Sequence, residues 1–296
     1  MSDDRAGAPN AGWLRRRIGS WYDQNARELP WRPPEVTPWG VLVSEIMLQQ
    51  TPVARVLPIW TLWLQRWPTP AALAAEEPAA AIRAWARLGY PRRALRLHAA
   101  ARAIDDLHDG AVPEHEDVLR SLPGIGEYTA AAVAAFAFRR RSVVLDTNVR
   151  RVLGRVLRGE ALPSPAVTNA ERAEAAALVP ADGPAAAHWA VAVMELGALV
   201  CTARAPDCAV CPVRTRCRWF EAGQPEAQDR PRTQGYEGTD RQARGQILAI
   251  LRGADDPVPP SDLEPEWPPA EQRDRALASL LADGLVVLDN GDYRLP

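Results

Sequence analysis

The chain has no lysine: all 35 of its basic residues are arginine. Chemistry that needs a side-chain amine, above all a Schiff base, is thereby closed to it. Phenylalanine and tyrosine are also scarce, with three and five among 296 residues, and the four cysteines all lie between Cys201 and Cys217. Disulfides therefore cannot staple the chain as a whole. No apolar run approaches the roughly 20 residues that span a bilayer, and Met1-Ser2-Asp3-Asp4 lacks the apolar core of a signal peptide. A cytoplasmic protein with no membrane partner is expected. Apolar residues at 47% and charged residues at 24% exclude a disordered or collagenous chain, and the length gives room for two domains.

The formal charge of −2 hides an asymmetry. Residues 1–230 hold 28 Arg against 25 Asp and Glu, whereas residues 231–296 hold 7 against 12. On net charge the body suits an anion better than the tail does. Between them, from Glu221 to Asp240, a stretch rich in Gln, Gly, Pro and charge reads as a linker.

The body reads as helix after helix. Thr37-Pro38 caps a helix through Leu48, and Thr51-Pro52 repeats the device for a helix through Trp63. Further helical patterns cover 79–88, 92–108, 114–121, 127–138, 147–158, 168–178 and 185–200. After the linker, 242–251 and 271–281 read as helices, and 286–288 with 293–295 as a hairpin around Asn290-Gly291.

Three features carry chemistry. Cys201, Cys208, Cys211 and Cys217 are spaced C-x6-C-x2-C-x5-C, so four thiolates converge within one short loop. Their chemistry alone suits zinc or a [4Fe–4S] cluster equally. Arg204, inside the first gap, is either a phosphate contact on a metal-pinned loop or a solvated charge. Second, Leu122-Pro123-Gly124-Ile125-Gly126 leads into a helix N-terminus, which suits either a phosphate or a plain helix–helix turn. Third come two carboxylates. Asp146 sits where an N-cap belongs, a position that fixes the side chain and favours its ionised form. Glu45 lies in the apolar run Val41–Leu48, either on the helix's one wet stripe or desolvated so that it keeps a proton near neutrality. One protonated and one ionised carboxyl is the pairing that breaks glycosidic bonds.

Taken together, Leu29-Pro30-Trp31-Arg32, Ser44-Glu45-Ile46-Met47-Leu48-Gln49-Gln50-Thr51, Leu88-Gly89-Tyr90, Leu122–Tyr128, Leu145–Val149 and the four cysteines closely resemble the adenine DNA glycosylase family. That family falls within the endonuclease III-like, helix-hairpin-helix superfamily, and the resemblance spans about residues 12–220. It implies an all-α, two-lobed fold with the active site between the lobes. A six-helix barrel (38–140) joins an iron–sulfur cluster domain (10–37 and 141–222), followed by a linker (223–240). Residues 241–296 would form a small α+β, winged-helix-like module. It further implies a [4Fe–4S] cofactor on the cysteines. The implied partner is double-stranded DNA holding adenine opposite 8-oxoguanine or guanine, engaged by a nucleoid-associated monomer.

Position by position, Glu45 resembles the acid that protonates adenine N7, and Asp146 the carboxylate facing the sugar cation. Tyr128 and Asn148 resemble residues that orient them. Arg27, Trp31, Arg32, Leu48 and Val53 resemble the wall of the base pocket. Gln50 and Tyr90 resemble side chains inserted into the duplex, and Thr51, Gly124, Gly126 and Arg204 resemble DNA contacts. In strand-cutting relatives a lysine follows the hairpin glycines; here that position is Tyr128, which implies a glycosylase without lyase activity. Val191, Arg87 and Pro91 depart from the family pattern, and the tail is too short for the family's hydrolase-like C-terminal domain. Two rival readings are a thymine or uracil mismatch glycosylase of the same fold and a DNA-binding module without catalysis.

Overall fold

A computed structural model describes residues 9–227, 235–264, 267 and 269–296. Fifteen α-helices occur among them: α1 (Ala11–Asn25), α2 (Pro38–Leu48), α3 (Val53–Arg66), α4 (Pro70–Ala74), α5 (Pro78–Trp85), α6 (Arg92–His108), α7 (Glu116–Ser121), α8 (Glu127–Phe138), α9 (Thr147–Leu153), α10 (Asn169–Leu178), α11 (Gly183–Leu199), α12 (Arg218–Glu221), α13 (Asp240–Gly253), α14 (Pro260–Leu263) and α15 (Ala270–Ala282). The only sheet among the described residues is a hairpin, β1 (Val287–Asp289) with β2 (Asp292–Arg294), turning at Asn290-Gly291. No helix among the described residues is long and apolar enough to cross a membrane.

Packing divides the chain into two compact units. The first takes the described residues of Met1–Val41, Glu114–Arg120 and Ile125–Arg230; the second takes those of Leu42–Pro113, Ser121–Gly124 and Pro231–Pro296. In the first, α11 lies against α1, α8 and α9. Its core joins Leu14 and Ile18 to Val152, Val193 and Leu196 and continues to Cys217 and Trp219. Helix α8 is buried at every position from Thr129 to Ala135, so its alanines are an all-round packing surface rather than one stripe. In the second unit α4 and α5 pack on α6. Trp63 meets Trp67 and Trp85 edge to face, with centroids 4.6 and 5.8 Å away.

The C-terminal residues belong to this second unit. Helix α13 packs on α15, and Val258 bridges to Tyr293 of the hairpin. The Ala79 N–H at the start of α5 donates to the Pro296 carbonyl (2.8 Å), satisfying one orphan donor of that helix end. Arg83 and Arg252 add bonds to the carbonyls of Ala254 (3.0 Å) and Ile82 (3.2 Å).

Three helix ends differ from the sequence expectation by three residues or more. The helix expected over 79–88 stops at Trp85 because Ala86 takes a φ of 49° and turns the chain. The one expected over 147–158 is α-helical only to Leu153, and Gly154–Arg158 widens into a π-turn. Helix α3 runs on to Arg66. Helix α1 escaped the sequence reading because Arg15–Arg17 interrupt the run that buries Trp13, Leu14 and Ile18. Of the expected linker, residues 228–234 lie outside the described residues.

Candidate active site

In the first unit, Asp146 caps α9 as the sequence anticipates. Its Oδ1 accepts from the Val149 N–H (2.6 Å) and its Oδ2 from Asn148 Nδ2 (2.7 Å). The expected electrostatic consequence needs correcting. Burial pushes the Asp146 carboxyl above the ordinary aspartate value, outweighing the bonds from Val149 and Asn148 and the field of Arg151. Arg151 holds the far side of Asn148, donating to its Oδ1 (2.7 Å) and to the carbonyls of Gly197 and Cys201 (both 2.7 Å). Gly197 is required here, since a Cβ would stand 2.7 Å from Asn148 Cβ.

Arg27 and Arg32 converge on one carboxylate, Glu195. Arg27 donates through Nε (2.8 Å), Nη2 (2.7 Å) and its backbone N–H (3.0 Å), and Arg32 through Nη2 (2.7 Å). Burial would raise the Glu195 carboxyl, but these bonds prevail and hold it at about 2. The sequence reading missed Glu195. The signal was available, because a carboxylate inside the apolar run Trp189–Leu199 is as odd as Glu45 in its own helix. Trp31 is buried nearby in sequence, Tyr128 is half-buried against the alanines of α8, and Val191 lies one turn before Glu195 on α11.

In the second unit, Glu45 is only 5% exposed on α2, between fully buried Ser44 and Ile46. Leu48 and Val53 are half-buried at the facing ends of α2 and α3. The two wedge candidates share an uncommon backbone state: Gln50 has φ 54° and Tyr90 φ 47°, and Tyr90 is 53% exposed. A residue the sequence did not reveal pins both loops. Buried Arg93 donates to the carbonyls of Ile46 (2.9 Å), Met47 (3.0 Å), Gln49 and Gly89 (3.0 Å), and to Thr51 Oγ1 (2.9 Å). Thr51 passes the tie on to the Leu88 carbonyl (3.2 Å). Burial pulls the Arg93 guanidinium down to about 10.

Gly124 has φ +76°, and a Cβ there would stand 2.6 Å from Arg96 Cβ, so the turn requires glycine twice over. Gly126 is the N-cap of α8 with open space where a Cβ would be, leaving the helix's first N–H groups approachable. Arg204 is exposed.

All four cysteines line one cavity, together with Arg155, Arg214 and Trp219. Among the described residues no three His, Cys, Asp or Glu stand close enough to hold a single metal ion. Arg155 donates to Cys201 Sγ (3.3 Å) and to the Thr202 carbonyl (2.7 Å), while Gln224 donates to Cys208 Sγ (3.2 Å). Burial pushes the thiols of Cys208 and Cys217 up, and that of Cys211 to about 12.

Residues 43–177 match the family model described as HhH-GPD superfamily base excision DNA repair protein. A solved thermostable thymine-DNA glycosylase superposes with a TM-score of 0.65 at 25% identity, covering 72% of this chain and 97% of the other. Adenine DNA glycosylase of Mycobacterium tuberculosis is 50% identical over 280 residues, 94% of this chain and 91% of the relative. That of Mycolicibacterium smegmatis is 54% identical over 269 residues, 90% of each. The chain belongs to the adenine DNA glycosylase family.

Proposed function

We propose that this chain is a monofunctional adenine DNA glycosylase. It removes adenine paired with 8-oxoguanine or guanine in duplex DNA, acts as a monomer and leaves an abasic site. The observation that carries the reading is the Ser44–Thr51 segment, with its carboxyl buried at position 45 of a largely apolar helix.

Glu45 delivers a proton to N7 of the extruded adenine, so the C1′–N9 electron pair leaves with a neutral base. The carboxylate of Asp146, oriented by Asn148, stabilises the sugar cation, and Tyr128 helps to position both. Water adds at C1′ and gives up its proton to the Glu45 carboxylate, which restores the acid. With no lysine available, the intermediate is not diverted into a Schiff base and strand cleavage. Arg27, Trp31, Arg32, Leu48 and Val53 wall the base pocket. Gln50 and Tyr90 fill the gap left in the duplex, offsetting an unstacking cost of a few kcal/mol. Thr51, Gly124, Gly126 and Arg204 contact the DNA.

Cys201, Cys208, Cys211 and Cys217 hold a [4Fe–4S] cluster within an iron–sulfur domain. Their shared cavity and the N–H donors from Arg155 and Gln224 to sulfur suit such an anionic thiolate group. When bound, the cluster pins the loop that carries Arg204. The described residues of 241–296, with the long helices α13 and α15 and a hairpin, fit a winged-helix-like outline.

The test is a single-turnover assay on duplexes with adenine opposite 8-oxoguanine. Adenine is released, Glu45→Gln slows release by about 10²-fold or more, and borohydride traps no strong covalent adduct. Because burial raises Asp146, the rate falls on the acid side at a higher pH than an ordinary aspartate, about 4, would set. Wild type releasing no adenine, or thymine from G·T pairs instead, overturns the reading.

A further inference from the structure

We infer that the C-terminal module is a DNA-holding element: its helix α13 and the loops around Gln50 and Tyr90 form one arginine-lined groove that takes the sugar–phosphate backbone of the strand opposite the adenine. This rests on the proposed glycosylase reading, and it assigns a role to residues that the resemblance leaves without one.

The groove has a volume of about 830 Å³. Gln50, Tyr90, Arg87 and Arg92 form one wall; Arg241, Arg244 and Arg252 of α13 form the other. In all, eight arginines and a single carboxylate, Asp283, line it. That carboxylate is already taken by Arg244 and by Arg92 (3.2 Å). Arg93 is committed to its carbonyl oxygens and Arg55 donates to the Arg87 carbonyl, but Arg87, Arg96 and Arg241 are exposed on the rim. So dense a field of one sign opposes folding unless an anion answers it.

The arginines of α13 fall on one stripe, at spacings of three and eight residues, with Leu248 between the last two. Seven arginines against twelve acids made residues 231–296 look a poor partner for an anion. Net charge averages two faces, and the face turned to this groove is basic. The extended ligand is chosen by what adjoins the arginines. Tyr90 and Gln50 stand on the same wall, both in the left-handed backbone state, so a strand entered by these two side chains runs directly on past α13. Tyr236 extends the aromatic character, with the Arg241 guanidinium 5.3 Å from its ring centroid.

The experiment uses the full chain and a duplex carrying 2′-fluoro-deoxyadenosine, which resists cleavage, opposite 8-oxoguanine. Binding is followed by fluorescence anisotropy across a salt series for wild type, the double variant Arg87→Gln with Arg241→Gln, and Arg102→Gln, an exposed arginine of α6 outside the groove. The slope of log K against log salt becomes shallower by about two in the double variant, since each lost phosphate contact removes about 0.9. The Arg102 variant keeps the wild-type slope, and lysine at 87 and 241 restores it. Phosphate ethylation beside the 8-oxoguanine weakens binding of wild type but not of the double variant. An unchanged slope overturns the inference, as does interference confined to the adenine strand. Adenine release by wild type is scored separately: its absence sinks the glycosylase reading, whereas release with an unchanged slope sinks only the groove.

Discussion

Glu195 illustrates how one side chain organises others. Two guanidiniums that the family resemblance assigns to a base pocket are held by this carboxylate, with side-chain exposure of 1%, and so are fixed in orientation before any ligand arrives. Its carboxyl lies at about 2 in the folded chain, against an ordinary 4.5. A depressed carboxylate stabilises the fold above the ordinary value, and that contribution disappears as pH falls through the folded one. The shift corresponds to on the order of 3 kcal/mol. Glu195→Gln should therefore lower stability at pH 7 by about that much in urea titrations. The gap between wild type and variant should narrow as pH drops from 4.5 towards 2. An equal gap at both ends of that range would exclude the ion pair as its source. Asp146 teaches the complementary lesson: its N-cap position is legible in the sequence, but its burial is not, and burial sets the direction of its shift.

Among the elements, helix positions follow from apolar period and caps, so α6 and α8 match their expected limits. Loop conformations do not follow, because their determinants are distant in sequence. Arg93 reaches back more than 40 residues to hold the end of α2, and it also holds Gly89 in the turn before α6. Nothing in the segment Tyr90–Ala94 marks that arginine as interior. Arg93→Met would leave several buried carbonyls unpaired, a loss of about 3 kcal/mol or more. Arg93→Lys should rescue little, because an ammonium cannot reproduce the planar fork. The check is hydrogen exchange: amides of residues 48–52 and 88–92 should lose protection in both variants while those of α10 keep theirs. Uniform loss across the chain would mean a general destabilisation instead.

Across the molecule, the absence of lysine has consequences beyond the missing amine. The buried cations Arg93, Arg150, Arg151 and Arg155 all donate to backbone carbonyls, and a five-donor guanidinium can satisfy several carbonyls at once. Composition reveals that only arginine is available; it does not reveal which arginines turn inward. Nor does it show that the acidic tail packs within the second unit, because contacts such as Ala79 with Pro296 join residues far apart in the chain. That packing is itself testable. Leu295 is 4% exposed and lies beside Leu251 and the first turn of α5, next to the carbonyl that caps it. Leu295→Ala should cost about 2–5 kcal/mol, and the loss should be local. Hydrogen exchange should quicken in α13, α15 and the first turn of α5, whereas α9 and α11 of the first unit keep wild-type rates. If instead α5 were unaffected while α13 and α15 opened, the tail would be folding on its own, and the groove would have only one dependable wall.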